Sequence, residues 1–326
     1  MAGCNLTSRT MDVTVLRDVP AYEIAYTIVI ALFIAINSFF MGTQIQVEVL
    51  WKSLRRPIGP LLTIFCQFVI MPVVSIGLCF LLLTESSHIQ LGLLAVGVSP
   101  AGALSNFWTV LFNGNLDLSV ALTVTSTIAS LGLAPLWLLT VGQRVISRDA
   151  DIQIPFLNII GGLLILVIPL ALGILVGRRV PVFQAQSAKI LKIAALLFLV
   201  FIAVGGFFMK FYVLYLFTIR RLAAGVLLPW LGFGIAYLGA YLFRFSAADM
   251  RTVAIETGIQ NAGLAMVIIE TALPHPDSDI VVVMPAICMI FTFAPFACFL
   301  GMQHVMTFWK GHCGSKDKKK QQQPAT

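Results

Sequence analysis

Charge is scarce in this chain: 11% of its 326 residues are Asp, Glu, Lys or Arg, against 59% hydrophobic. A water-soluble globule of this size needs far more polar surface, so water is excluded as the main solvent. No cleavable leader is expected either. Met1 to Pro20 is polar and has no apolar core before a small-residue cleavage site, so the first helix is expected to act as an uncleaved anchor. The six cysteines give no disulfide framework, because Cys66, Cys79, Cys288 and Cys298 lie in apolar runs while Cys4 and Cys313 fall on opposite membrane faces; Cys313 is a candidate acylation site. There is no HExxH, GxSxG, P-loop or dinucleotide fingerprint, and no nucleophile–base pair, so the chain is expected not to be an enzyme. His88 and His275 in outer loops, His304 at the last helix end and His312 in the tail read as surface or interface histidines, so no transition metal is expected.

What the chain has in abundance is long apolar runs. Crossing roughly 30 Å of hydrocarbon takes about 20 helical residues. Nine such spans are predicted: Tyr22 to Phe40, Ile58 to Leu83, Ile89 to Phe112, Leu118 to Val141, Phe156 to Gly177, Ile190 to Met209, Leu222 to Phe243, Thr252 to Leu273, and Ile280 to Met306. Barrel strands would be about 10 residues with strict alternation, so the fold class is an all-α polytopic membrane protein. Placing the N-terminus outside puts most of the 21 basic residues in the cytosol. The sequon Asn5-Leu6-Thr7 is usable in that orientation, with Asn5 the candidate glycosylation site. Residues 1–21 are then an extracellular tail, 22–308 the transmembrane domain and 309–326 a cytosolic Lys-rich tail that touches anionic lipid rather than nucleic acid. Gly173 and Gly177 form a GxxxG step that reads as ordinary close helix packing.

Nine spans make the third and eighth run in opposite directions, the geometry of an inverted repeat. Both are interrupted in mid-span, one at Ser99-Pro100-Ala101-Gly102-Ala103, the other at Glu256-Thr257-Gly258 and Gln260-Asn261-Ala262-Gly263. Paired interruptions point to a transporter binding site, because unwound backbone exposes carbonyls and helix ends at mid-depth. Glu256 stands out as the acidic residue with apolar flanks on both sides. An unpaired carboxylate at that depth costs about 2.5 to 3.5 kcal/mol on insertion scales. No Lys or Arg lies at comparable depth in any span, which leaves a bound cation or a proton to offset it. Ser119, Thr123 and Thr127 share one helix face. Ser105-Asn106 follows the Pro100 break, and Gln67 and Gln260 are amides deep in other spans. Singly, a membrane Ser or Thr commonly bonds back to its own helix. Together these residues form an oxygen-only set that suits sodium and argues against zinc, copper or iron.

The runs Gln67-Phe68-Val69-Ile70-Met71-Pro72, Val98 to Asn106, Asp117-Leu118-Ser119 with Thr123 and Ser126-Thr127, and Arg251 to Asn261 resemble the sodium/bile acid cotransporter family, with the ileal branch nearest. The resemblance covers nearly the whole chain. It implies one sodium held by Ser105, Asn106, Ser119, Thr123 and Glu256, and a second by Gln67, Glu256 and Gln260 with nearby carbonyls. It also implies two broken helices crossing in a core domain (spans 2, 3, 4, 7, 8 and 9) that moves against a panel domain (spans 1, 5 and 6). Departures cluster near the substrate: the family's Ser-Pro-Gly-Gly is Ser99-Pro100-Ala101-Gly102 here, Ala103 replaces a polar residue, and Gly263 stands where Gln is usual after Gln260-Asn261-Ala262. Pro100, Ala103, Asn261 and Gly263 are thus the substrate-proximal set.

The expected activity is sodium-coupled symport of bile acids or related amphipathic anions such as steroid sulfates, by alternating access in the plasma membrane. Partners are Na+, the organic anion and the bilayer, with Na+ as coupling ion and no cofactor. The alternatives are a non-transporting receptor or sensor of the same fold and a proton-coupled organic anion carrier.

Overall fold

The computed structural model describes residues 20–55, 57–102, 104–146, 155–180, 190, 193, 197, 200–201, 204–205, 212–292 and 294. The sequon at Asn5, most of the sixth expected span, the end of the ninth, both tails and Ala103 lie outside the described residues. Twelve helices are labelled here in chain order. They are α1 (Ala21–Thr43), α2 (Val47–Leu54), α3 (Ile58–Leu82), α4 (Ser87–Gly97), α5 (Ser105–Leu111) and α6 (Leu116–Trp137). The second half holds α7 (Phe156–Arg179), α8 (Ile219–Leu242), α9 (Ala247–Gly258), α10 (Ala262–Ala272), α11 (Asp277–Val281) and α12 (Val283–Thr292). No strand occurs among the described residues.

Five stretches are long and apolar enough to cross a bilayer: α1, α3, α6 with its continuation to Arg144, α7 and α8. Their outward faces are as greasy as their inward ones. On α1, Ile24, Ile28 and Leu32 recur every fourth residue and are each more than half exposed, while Tyr26, Ile30 and Ile34 on the opposite stripe are buried. Water would not tolerate such a surface, but lipid matches it. α1 and α7 approach closely through small residues. A Cβ on Gly173 would run into the Phe39 carbonyl, and one on Gly177 would come within 2.8 Å of Thr43 Cα. The GxxxG step is therefore a packing seam inside the chain, as its sequence suggested.

Prolines bend this framework at positions the site exploits. Pro72 has no N–H and its ring crowds the carbonyl four residues earlier, that of Phe68. The helix responds by widening into a π turn over Cys66–Ile70, and the indole of Trp137 donates to Phe68 O at 2.8 Å. The widened turn carries Gln67, fully buried, to the centre of the molecule.

α4 and α10, the two shorter apolar helices, lie at the heart of the protein. Every residue of 89–102 and of 252–269 is buried, so the chain interruptions these segments carry are shielded from the hydrophobic exterior. The interruption between α9 and α10 is narrower than expected from sequence. Glu256, Thr257 and Gly258 remain helical, and the unwound link is Ile259–Asn261.

Candidate functional site at the helix crossing

Pro100 stops α4 from continuing, and Ile259 leaves α9 in an extended conformation. The two freed strands of backbone then satisfy one another. Gly102 N–H donates to Ile259 O at 2.8 Å, Asn261 N–H donates to Pro100 O at 2.9 Å, and Ala101 and Gln260 form an antiparallel bridge. Buried main-chain groups that lost helical partners are thus paired across the crossing. Gly102 permits the approach, since a Cβ there would lie 3.0 Å from Gln260 O. Asn261 caps α10 by accepting from Leu264 N–H at 3.0 Å. On α6, Ser126 Oγ accepts from Ala101 N–H at 3.4 Å, which ties a third helix to the crossing.

Glu256, on the last turn of α9, is completely buried. Thr123 Oγ1 lies 2.8 Å from its Oε2, and Ser119 Oγ makes a short hydrogen bond to its Oε1. Ser119 Oγ is also 2.7 Å from Asn106 Oδ1 and 3.2 Å from Thr109 Oγ1. Ser105 lies beside the carboxylate, its buried hydroxyl making no well-formed hydrogen bond. The proton count is the telling feature. Ser119 has one hydroxyl proton, yet it faces two oxygens, Glu256 Oε1 and Asn106 Oδ1, that only accept. At least one of those oxygen–oxygen approaches has no proton of Ser119 to bridge it. Among the described residues no Lys or Arg forms an ion pair with Glu256; Arg251 instead donates to Asn113 O at 2.8 Å. A buried cluster of hard oxygen atoms gathered on a carboxylate is chemically suited to a small hard cation.

The structure thus brings Ser105, Asn106, Ser119, Thr123 and Glu256 together. Thr109 joins them, a member that sequence reasoning missed although it stands four residues from Ser105 on α5. Thr127 does not; it donates to Thr123 O at 2.7 Å, the ordinary back-bond of a membrane threonine. The second set is looser. Gln67 Nε2 donates to Ser99 O at 2.6 Å and leaves its Oε1 buried without a partner, while both amide atoms of Gln260 are buried and unpartnered. Neither amide hydrogen-bonds Glu256. A buried amide left in this state costs about 1 to 3 kcal/mol, so these atoms have capacity for a further partner. Of the substrate-proximal set, Pro100 and Asn261 lie on the crossing itself and Gly263 is buried in the first turn of α10.

The opening of α9 is braced from α6. Asn115 Nδ2 donates to Asp249 Oδ1 at 2.8 Å, and Asn115 N–H donates to Thr252 Oγ1 at 2.8 Å. Thr252 is one turn before Glu256 on the same face, so the brace fixes how the carboxylate meets α6.

A second polar cluster escaped the sequence reading. Glu23 and Asp279 are buried, and the side chain of His275, read from sequence as a surface or interface histidine of an outer loop, is only 14% exposed. Glu256 is therefore not alone in burying a carboxylate. These residues sit near chain turns, where hydropathy gives no sign of burial, and among the described residues the packing of α1 against α10 brings Glu23 to the others.

Apolar helices of membrane-spanning length around a crossed pair of broken helices, with a carboxylate among hydroxyls at the crossing, define a multi-pass membrane carrier rather than an enzyme. The sequence profile described as Sodium Bile acid symporter family matches residues 29–217. The chain is 35% identical over 257 residues to the sodium-dependent organic anion transporter of Bos taurus, covering 76% of this chain and 65% of that protein. Against the ileal sodium/bile acid cotransporter of Homo sapiens it is 30% identical over 281 residues, 86% of this chain and 79% of the relative. The hepatic sodium/bile acid cotransporter of Rattus norvegicus is 29% identical over 283 residues, 84% and 76% respectively. This chain belongs to the sodium bile acid symporter family, which is a family of transporters.

Proposed function

We propose that the protein is a sodium-coupled symporter of amphipathic organic anions, of the bile acid or steroid sulfate kind, working by alternating access. The observation that carries this reading is the all-oxygen cluster around the buried Glu256, which has no Lys or Arg ion-pair partner among the described residues and calls for a cation from solution. The names of the relatives, sodium/bile acid cotransporters and sodium-dependent organic anion transporters, support it from a separate direction.

One sodium is held by Ser105, Asn106, Ser119, Thr123 and Glu256. A second is held by Gln67, Gln260 and Glu256 with carbonyls of the crossing. Occupancy neutralises the carboxylate and draws α5, α6 and α9 together, which holds the crossing in the form that receives the anion beside Pro100, Ala103, Asn261 and Gly263. Nine spans, with the first, fifth and sixth as a panel and the others as a core, then rock about the loaded site. The N-terminus is extracellular, the Lys-rich tail cytosolic and the membrane the plasma membrane. A tenfold sodium gradient is worth about 1.4 kcal/mol per ion. Each net charge moved adds about 2.3 kcal/mol per 100 mV. Two ions with one monovalent anion therefore supply roughly 5 kcal/mol, enough for accumulation of more than a thousandfold at equilibrium.

The test is uptake of a labelled bile acid and a labelled steroid sulfate by expressing cells, with sodium and with choline in its place at fixed pH. Uptake of at least one that collapses in choline is the expected result. Uptake unchanged by choline but driven by acid outside would assign the carboxylate to proton coupling instead.

A further inference from the structure

Away from the crossing, three elements converge on one imidazole. His275, in the turn after α10, has Nδ1 3.2 Å from Asp279 Oδ2 and Nε2 3.9 Å from Glu270 Oε2. Glu23, in the first turn of α1, closes the group: one donor atom each from Glu23, His275 and Asp279 lie within 4.8 Å of one another. Glu23 is 2% exposed and Asp279 6%. Tyr26 stands three residues after Glu23 on the same face of α1, at 5% exposure. Its hydroxyl is buried without a hydrogen-bond partner and is within electrostatic reach of Glu270.

We propose that Glu23, His275 and Asp279 form a binding site for a divalent transition metal of the zinc class, distinct from the crossing. The donor set is one imidazole nitrogen and two carboxylate oxygens. Zinc takes such donors at about 2.0 to 2.2 Å, which places tetrahedral ligand atoms about 3.4 Å apart. The 3.2 Å between His275 Nδ1 and Asp279 Oδ2 is already near that value, and a side-chain shift of about 1 Å brings Glu23 in. The imidazole selects against sodium, magnesium and calcium, which prefer oxygen alone.

The surroundings complete the arrangement. With Nδ1 on the metal, the Nε2–H of His275 points toward Glu270, the carboxylate–histidine–metal relay that fixes ring orientation and raises ligand basicity. Ser278 Oγ, 3.2 Å from Nδ1, is a hydroxyl that rotates away when the lone pair is taken by metal. Such an ion ties the start of α1 to the corner between α10 and α11, elements far apart in the sequence.

Titration of the purified full-length protein with Co2+ and Zn2+ tests the site. Cobalt absorbance in the visible reports a low-coordinate site with an imidazole ligand, and the shift of Tm with Zn2+ reports the clamp. One saturable equivalent is expected in the wild type, retained in His312→Ala, which removes a histidine of the tail. Glu23→Gln, Asp279→Asn and His275→Ala should each lose it, while His275→Cys keeps a ligand and retains Zn2+ binding. Glu270→Gln should weaken the metal by roughly 10- to 100-fold, the usual effect of losing a carboxylate behind a metal-bound histidine. Equal binding by wild type, His275→Ala and Asp279→Asn overturns the proposal, as does a wild type that shows no saturable equivalent. None of these readouts depends on transport or on sodium, so they stand apart from the test of the symporter reading.

Discussion

Thr123 and Glu256, 133 residues apart in sequence, meet at 2.8 Å between a hydroxyl and a carboxylate oxygen, deep in the protein. Thr123 has a choice of acceptors, because Ser119 O is 2.9 Å from the same hydroxyl. On the proposed sodium site, a cation that takes the Glu256 oxygen leaves the threonine proton free to turn to its own helix without being orphaned.

Removing the charge should therefore separate folding from coupling. Glu256→Gln keeps the shape and hydrogen-bonding capacity of the side chain but offers no anion. Sodium-driven uptake is expected to fall to background while the amount at the cell surface stays near wild type. Surface biotinylation beside an uptake assay checks both, and intact sodium-driven uptake would break the coupling scheme.

Ser119→Ala and Thr123→Ala should raise the sodium concentration needed for half-maximal uptake. A hydrogen bond to a charged group is worth about 1.5 to 3 kcal/mol, so a shift of about tenfold or more is expected for each. Thr123→Ser retains the hydroxyl and should remain close to wild type. Sodium titrations at saturating anion distinguish this from a change in substrate affinity. A Thr109→Ala variant, with an oxygen in the same cluster, is expected to shift the sodium curve in the same direction and by less.

Trp137→Phe removes the indole N–H that serves the Phe68 carbonyl, leaving a buried acceptor unpaired at a cost of about 1 to 3 kcal/mol. Pro72→Ala restores a main-chain N–H beside that carbonyl. The double variant should lose less stability than the sum of the two single variants, as contacting residues usually do. Thermal unfolding in detergent of the four proteins completes the cycle, and strict additivity would show that the two residues do not share the carbonyl.

Gly177→Leu should separate α1 from α7. Overpacking of this kind costs about 1 to 3 kcal/mol or more, and here the obstacle is main chain that cannot rotate aside. A Tm lowered by several degrees and reduced surface expression are expected, with the sodium dependence of the remaining protein unchanged.

The sequence was most informative where physics is one-dimensional. Long apolar runs between turns gave the helical membrane class, and Pro100 marked the first interruption, because proline acts on its own backbone wherever it stands. Glu256 with Ser119 and Thr123 was legible for a different reason: a carboxylate with apolar flanks must find oxygen partners. Other features were hidden because they are made by contact. Gln67 reaches Ser99 only through the widened turn that Pro72 imposes, and nothing in its local sequence states that direction. Thr109 looked like one more membrane threonine. Glu23, His275 and Asp279 sit near chain turns, where burial depends on what packs above them, and His275 accordingly reads as a surface or interface residue.

The crossing of the two interrupted helices is fastened by main-chain atoms, through Gly102 to Ile259 and Asn261 to Pro100. Apart from the need for a small residue at 102, the identity of the neighbouring side chains does not enter those bonds. Side chains around the crossing can therefore be replaced without loosening the joint itself, so on the proposed reading a change of cargo does not require a change of framework.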